Sequence, residues 1–161
     1  MSGKSNNEKW EDYAIKTVTE LRNNGDLIAS FFLCSAFVEH YCKTRLFIFL
    51  TANRPIEIIK IPDKKTKEMK NASIWSEMKE IIFEDIHSSW VLINIGFLVG
   101  AWDKKLYDQL EYFNGKRNHL VHRYENILQI LEKDEGKKEA TSIIELGLSI
   151  LHNIKVGHID S

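Results

Sequence analysis

The sequence predicts an all-α fold, an antiparallel bundle of five to six helices, on three observations. Its 161 residues include only two prolines and eight glycines, too few for a turn-rich β domain. Leu, Ile, Glu, Lys and Phe carry much of the chain, a composition that favours helices. Apolar residues also recur at helical spacing over most of its length. At 43% hydrophobic and 28% charged residues the chain can bury a full core, and it reads as a single domain, 1–161, without internal repeats.

Trp10, Ala14, Val18 and Leu21 mark the first helix, and Asn23-Asn24-Gly25 supplies its C-cap. Asp26 is placed to cap a long second helix to about Leu50, in which Ile28, Phe31, Phe32, Val38, Cys42, Leu46 and Phe49 form a broad apolar stripe. The segment TANRPIEIIKIPDKKTKEMKNAS holds both prolines and five lysines between Lys60 and Lys70. It reads as an irregular exposed connection in which IEIIKI can pair as a short strand. Asn71 or Ser73 starts a third helix through IWSEMKEIIFEDI, which runs into or breaks before WVLINIGFLVG, and Gly100 ends that run. A helix over Asp103 to Phe113 follows, then one from about Lys116 to Glu132. KDEGKK turns the chain into a last helix ending near Asn153.

The formal net charge of -1 removes the simple argument that a basic protein binds nucleic acid, while leaving room for a local basic patch. Cys34 and Cys42, eight apart in an apolar helix, stand beyond bridging distance and are expected as reduced core residues, which implies a cytoplasmic setting. MSGKSNNEKWEDY lacks the apolar core of a secretory signal. The two richest apolar runs, LIASFFLCSAFVEHYCKTRLFIFL and WVLINIGFLVGAW, are respectively interrupted by charges and shorter than the roughly 20 residues a span requires. Both are expected as buried helices, with no membrane partner. No Walker loop, nucleophile elbow or paired-cysteine metal motif occurs.

The most informative stretch is YFNGKRNHLVHRYENILQIL, Tyr112 to Leu131. Asn114-Gly115 reads as a break that opens a new helix. At about 100° per residue, Leu120, Val121, Tyr124, Ile127, Leu128 and Leu131 share a face expected to pack into the bundle. Asn118, His122, Glu125 and Gln129 form a polar stripe on the other side. Arg117 lies about 140° from His122 but falls in the expected first turn. Free backbone N–H groups, the helix dipole and a guanidinium would meet an anionic phosphate there. Histidine as a residue type exchanges protons near neutral pH, so the set suits phosphoryl chemistry.

At these residues the sequence resembles the HEPN superfamily. GKRNHLVHRY, with Arg117, Asn118, His122 and Tyr124, is similar to the Arg-x4-His-x-Tyr form of the family's Arg-x4-6-His motif, nearest to HEPN toxins paired with minimal nucleotidyltransferase antitoxins. In SAFVEH, Ser35 and Glu39 look like a Ser-x3-Glu carried by an earlier helix of many members. The resemblance implies an all-α homodimer whose two motifs line one cleft, acting on RNA as a metal-independent endoribonuclease without cofactor, as a toxin or defence effector. Attack of a ribose 2'-OH on the adjacent phosphate would use His122 as general base or acid, Arg117 to stabilise the charged oxygens and Asn118 to orient the site. It further implies AMPylation of Tyr124 by a nucleotidyltransferase antitoxin.

Each residue also has a plainer reading. Arg117 suits a surface salt bridge, Asn118 a helix cap, His122 an idle exposed position and Tyr124 core packing. His119 and His122 stand at i, i+3 as metal ligands would, but no third ligand has suitable spacing, and no metal is expected. Glu39 in an apolar helix needs a partner, Arg117 among the candidates. The lysines from Lys60 to Lys70 suit a solvated loop better than an RNA contact. The alternative function is a non-catalytic HEPN module that binds nucleotide or RNA or scaffolds a partner protein.

Overall fold

The computed structural model describes residues 6–52, 54–122 and 133–156. Among these the chain is mostly helical with one two-stranded sheet, as the all-α reading requires. It divides into two compact units, one from 1–41 with 104–161 and the other from 42–103.

The first unit is built from α1 (Asn6–Asn23), the start of α2 (Leu27–Thr51), α5 (Lys104–His122) and α6 (Asp134–Val156). The turn between α1 and α2 follows its residues closely. Gly25 takes a left-handed φ of 82°, which a side chain would resist, and Asp26 Oδ1 accepts the Ala29 N–H at 3.0 Å as an N-cap. Ala14 and Val18 of α1 are buried, with Phe31, Cys34 and Val38 of α2, Leu110, Phe113 and Leu120 of α5, and Ile144 and Leu151 of α6. Ser30 Oγ donates to the Val18 carbonyl at 3.1 Å and so satisfies a hydroxyl buried between α1 and α2. Gly147 lets α6 come close, since a Cβ there would stand 2.4 Å from Cys34 Sγ and 2.9 Å from the Phe113 ring.

Cys34 and Cys42 are both buried free thiols, as expected. Burial pushes the Cys34 thiol up to about 12, because the thiolate would have to form away from water. Ellman's reagent at pH 8 is therefore expected to leave Cys34 unmodified in the native protein and to modify it at the rate of global unfolding. Rapid native labelling at Cys34, read by mass spectrometry, would contradict this packing.

The second unit begins in α2 at Cys42 and continues through β1 (Ile58–Pro62), β2 (Met69–Ser73), α3 (Ile74–Glu80), a π-helical turn (Ile81–Asp85) and α4 (Ser89–Leu98). IEIIKI does supply a strand, but the connection is a hairpin. Ile58 pairs with Ser73 and Pro62 with Met69 in antiparallel register. Asp63 closes its loop by accepting the N–H groups of Lys65 at 2.8 Å and Thr66 at 3.1 Å. These bonds, with Lys70 nearby, hold its carboxyl below the usual aspartate range. Ser73 caps α3 by accepting the Trp75 N–H, and Ser88 caps α4 through Val91. The two apolar segments are thus separate helices, and Gly100 ends the second with a φ of 83°.

Leu46, Ile82, Leu92, Ile93, Ala101 and Trp102 form the core of this unit. The Trp102 indole N–H donates to the Ile93 carbonyl at 3.1 Å, and Arg45 Nε donates to the Ala101 carbonyl at 2.8 Å. Gly96 faces the Trp102 ring with no room for a side chain. Contrary to expectation, neither apolar run is buried on all sides. Phe32 and Phe49 of α2 are about half exposed, and α4 turns Trp90, Val91, Phe97 and Leu98 outward. A ten-residue helix that is apolar all round can bury only the side its own unit covers.

Candidate functional site

The motif residues sit on α5, and their setting differs from the expected one. No new helix opens at Lys116: α5 runs unbroken from Lys104 through Asn114 and Gly115 to His122. Leu110, Phe113, Asn114 and Leu120 are all buried, and α5 packs on α6. That packing outweighs the roughly 1 kcal/mol helix penalty of one glycine. Arg117 is therefore not in a first turn. The free N–H groups at the start of α5 lie 13 residues back, about 20 Å along the axis, so they and the dipole's positive end cannot serve a phosphate at Arg117.

His122 is exposed, and His119 is exposed with its Nδ1 3.4 Å from Glu139 Oε1 on α6. Arg117 and Asn118 are half-buried. Arg117 stays about 140° round the helix from His122, and with the helix intact its side chain cannot curl over a helix end to reach it. Ser35 is buried, its Oγ donating to the Phe31 carbonyl at 2.9 Å, so its hydroxyl serves its own helix. Glu39 is half-buried on α2. Leu120 packs inward as expected, whereas Val121 is 36% exposed, a correction to the apolar face assigned to it. Tyr124, Glu125, Ile127, Leu128, Gln129 and Leu131 lie outside the described residues.

One feature escaped the sequence reading. Asp108, Glu111, Tyr112, Gly115, Lys116 and His119 line a shallow, open depression of about 610 Å³. They fall at i, i+3, i+4, i+7, i+8 and i+11, one face of a continuous helix, and His122 continues that face by one turn. The assumed break at Asn114-Gly115 hid this spacing. The Lys116 ammonium lies 5.5 Å from the Tyr112 ring centroid, Lys104 pairs with Asp108, and among the described residues nothing outside the helix backbone lies within 4 Å of where a Gly115 Cβ would stand. The Asp108 carboxylate holds the Lys104 ammonium above its ordinary range. Charge here is balanced, with carboxylates toward the start of the face and imidazoles toward the end. Just off it, the Asn114 amide oxygen is buried with no hydrogen-bond partner among the described residues.

Among the described residues no three His, Cys, Asp or Glu side chains converge as a metal site would require, and no helix is long and apolar enough to cross a membrane. No family model matches the chain, and no curated protein or solved structure does so either.

Proposed function

We propose that this chain is a HEPN-like, metal-independent endoribonuclease that works as a homodimer, in the role of a toxin or defence effector. The observation that carries the reading is the exposed imidazole of His122, on the same α5 face as an open depression offering Tyr112, Lys116 and His119. An exposed imidazole can reach a ribose 2'-OH or a leaving 5'-oxygen, an aromatic ring can stack a base, and a lysine can meet a phosphate. Tyr124 is the residue at which a nucleotidyltransferase antitoxin would act.

The intact helix sharpens the role of the second protomer. Arg117 and His122 point away from a common phosphate within one chain, whereas a two-fold axis beside α5 can bring the Arg117 of one protomer to the His122 of the other. A composite site of this kind predicts complementation. His122→Ala and Arg117→Ala, each inactive, should recover about a quarter of wild-type cleavage when mixed and allowed to exchange subunits, because half the dimers are mixed and each holds one complete site. A mixture as inactive as its components would overturn the shared site.

The second reading, a non-catalytic module that binds nucleotide or RNA or scaffolds a partner, is favoured by that same separation of Arg117 from His122 within a chain. The two readings part on all-ribose RNA, which only the nuclease cuts, set beside a substrate deoxy at the scissile position. The nuclease must spare it, since the attacking hydroxyl is gone, while a binding module should hold both substrates and cut neither.

A further inference from the structure

Among the described residues the outward side of α4 is an extended apolar surface that the motif does not use. On a helical wheel Trp90, Val91, Asn94, Phe97 and Leu98 occupy one arc of about 120°, while Leu92, Ile93 and Gly96 turn inward and are buried. Leu98 is 82% exposed and Trp90 59%, and both Val91 and Phe97 are open to solvent. Phe49 extends the surface, since its ring lies 3.8 Å from where a Cβ on Gly100 would stand, just past the end of α4. No charged residue falls within the arc. Monomeric proteins rarely leave such a contiguous apolar surface open without a partner for it.

We propose that this face is a self-association surface, on which α4 packs antiparallel against α4 of a second copy about a two-fold axis beside Asn94. Its spacing is the first reason. Positions 90, 91, 94, 97 and 98 are symmetric about 94, an aromatic and an aliphatic residue on either side of one asparagine. An antiparallel copy therefore sets Trp90 and Val91 over the partner's Phe97 and Leu98, and the reverse contact follows by symmetry. Area is the second reason. With Phe49 the open apolar surface is on the order of 500 Å² per copy, so a pair would bury on the order of 1,000 Å², the least expected of a specific interface. Asn94 is suited to the axis. Its Nδ2 donates to the Trp90 carbonyl at 2.8 Å, so part of its polarity is already satisfied before burial, and a lone polar group in an apolar seam fixes register. The uncharged arc offers a nucleic-acid backbone or a charged peptide nothing to pair with.

The surface stands on α4 alone and would add a second contact to the α5 pair of the cleavage reading, so its test compares variants of α4 with the wild type. Wild-type protein at tens of micromolar should be heavier than Leu98→Lys by light scattering, whether or not the α5 pair also forms. Leu98→Lys, at a position that is already mostly exposed, should keep its helix content and melting temperature while its dissociation constant rises at least about tenfold. A direct check uses the burial of Cys34 and Cys42, which leaves an introduced surface thiol as the reactive one. Asn94→Cys should form a disulfide-linked dimer under mild oxidation, since a pair beside the axis comes within bridging distance, and Lys138→Cys should not. A monomeric wild type, a Leu98→Lys protein that keeps the wild-type mass, or cross-linking of Asn94→Cys no greater than of Lys138→Cys would each overturn the proposal. So would a wild-type monomer that instead floats with phosphatidylcholine vesicles, which would give the face to lipid.

Discussion

Replacing His122 with alanine is expected to lower RNA cleavage by about 10²–10⁴-fold, the usual contribution of a positioned acid or base. Stability should hardly change, by less than about 0.5 kcal/mol, because the side chain is exposed. That contrast gives the substitution its value. A core histidine would lose packing and activity together, and an idle surface histidine would lose neither. Single-turnover cleavage beside thermal melting reads both quantities on one preparation. Equal cleavage by variant and wild type would remove His122 from the chemistry. Asn118→Ala, at a half-buried position one turn earlier, should lose less, as expected of a side chain that orients the site without exchanging a proton.

Gly96→Ala is expected to be the most damaging single methyl in the second unit. Its Cβ would stand 1.9 Å from the Trp102 ring, and that ring is buried with its N–H held by the Ile93 carbonyl. Neither the indole nor α4 can give way without breaking that bond or opening the core around Leu92, so the cost is about 3 kcal/mol. Melting should fall by roughly 6–12 °C, taking 2–4 °C per kcal/mol for a chain of this length. Gly115→Ala is the matching control. It lies within α5 with open space at the Cβ position, and it should stabilise by about 0.5–1 kcal/mol through helix propensity alone. If Gly96→Ala melted within 2 °C of wild type, the close packing of α4 on Trp102 would be wrong.

The parts of the fold that were legible in the sequence are those fixed by local chemistry. Asn23-Asn24-Gly25 and Asp26 mark the turn between α1 and α2 because left-handed φ and N-capping are properties of single residues. Ser73 and Gly100 were readable for the same reason. The parts that were not legible depend on distant partners. Asn114-Gly115 looks like a terminator, yet Phe113 and Leu120 are held by packing on α6, a contact that no local pattern announces. The strand MKNAS has weak strand propensity and exists by pairing with β1. The apolar run of α4 shows that a segment is hydrophobic without showing which of its sides the rest of the chain leaves bare.

For the site, the sequence named the exposed histidines His119 and His122, and the structure places both on one accessible face. The environment assigned to Arg117 depended on the helix beginning at Lys116, and it changed with that boundary. The depression lined by Tyr112, Gly115 and Lys116 became readable only once α5 was continuous, because their helical spacing spans the supposed break.

Attack by the 2'-OH, assisted by His122 without a metal, can be read by incubating RNA with the purified protein in EDTA and identifying the ends of the fragments. Cleavage should leave 2',3'-cyclic phosphate and 5'-hydroxyl ends and should disappear with His122→Ala. Intact RNA, or cleavage only on adding a divalent ion with 3'-hydroxyl and 5'-phosphate ends, would contradict it.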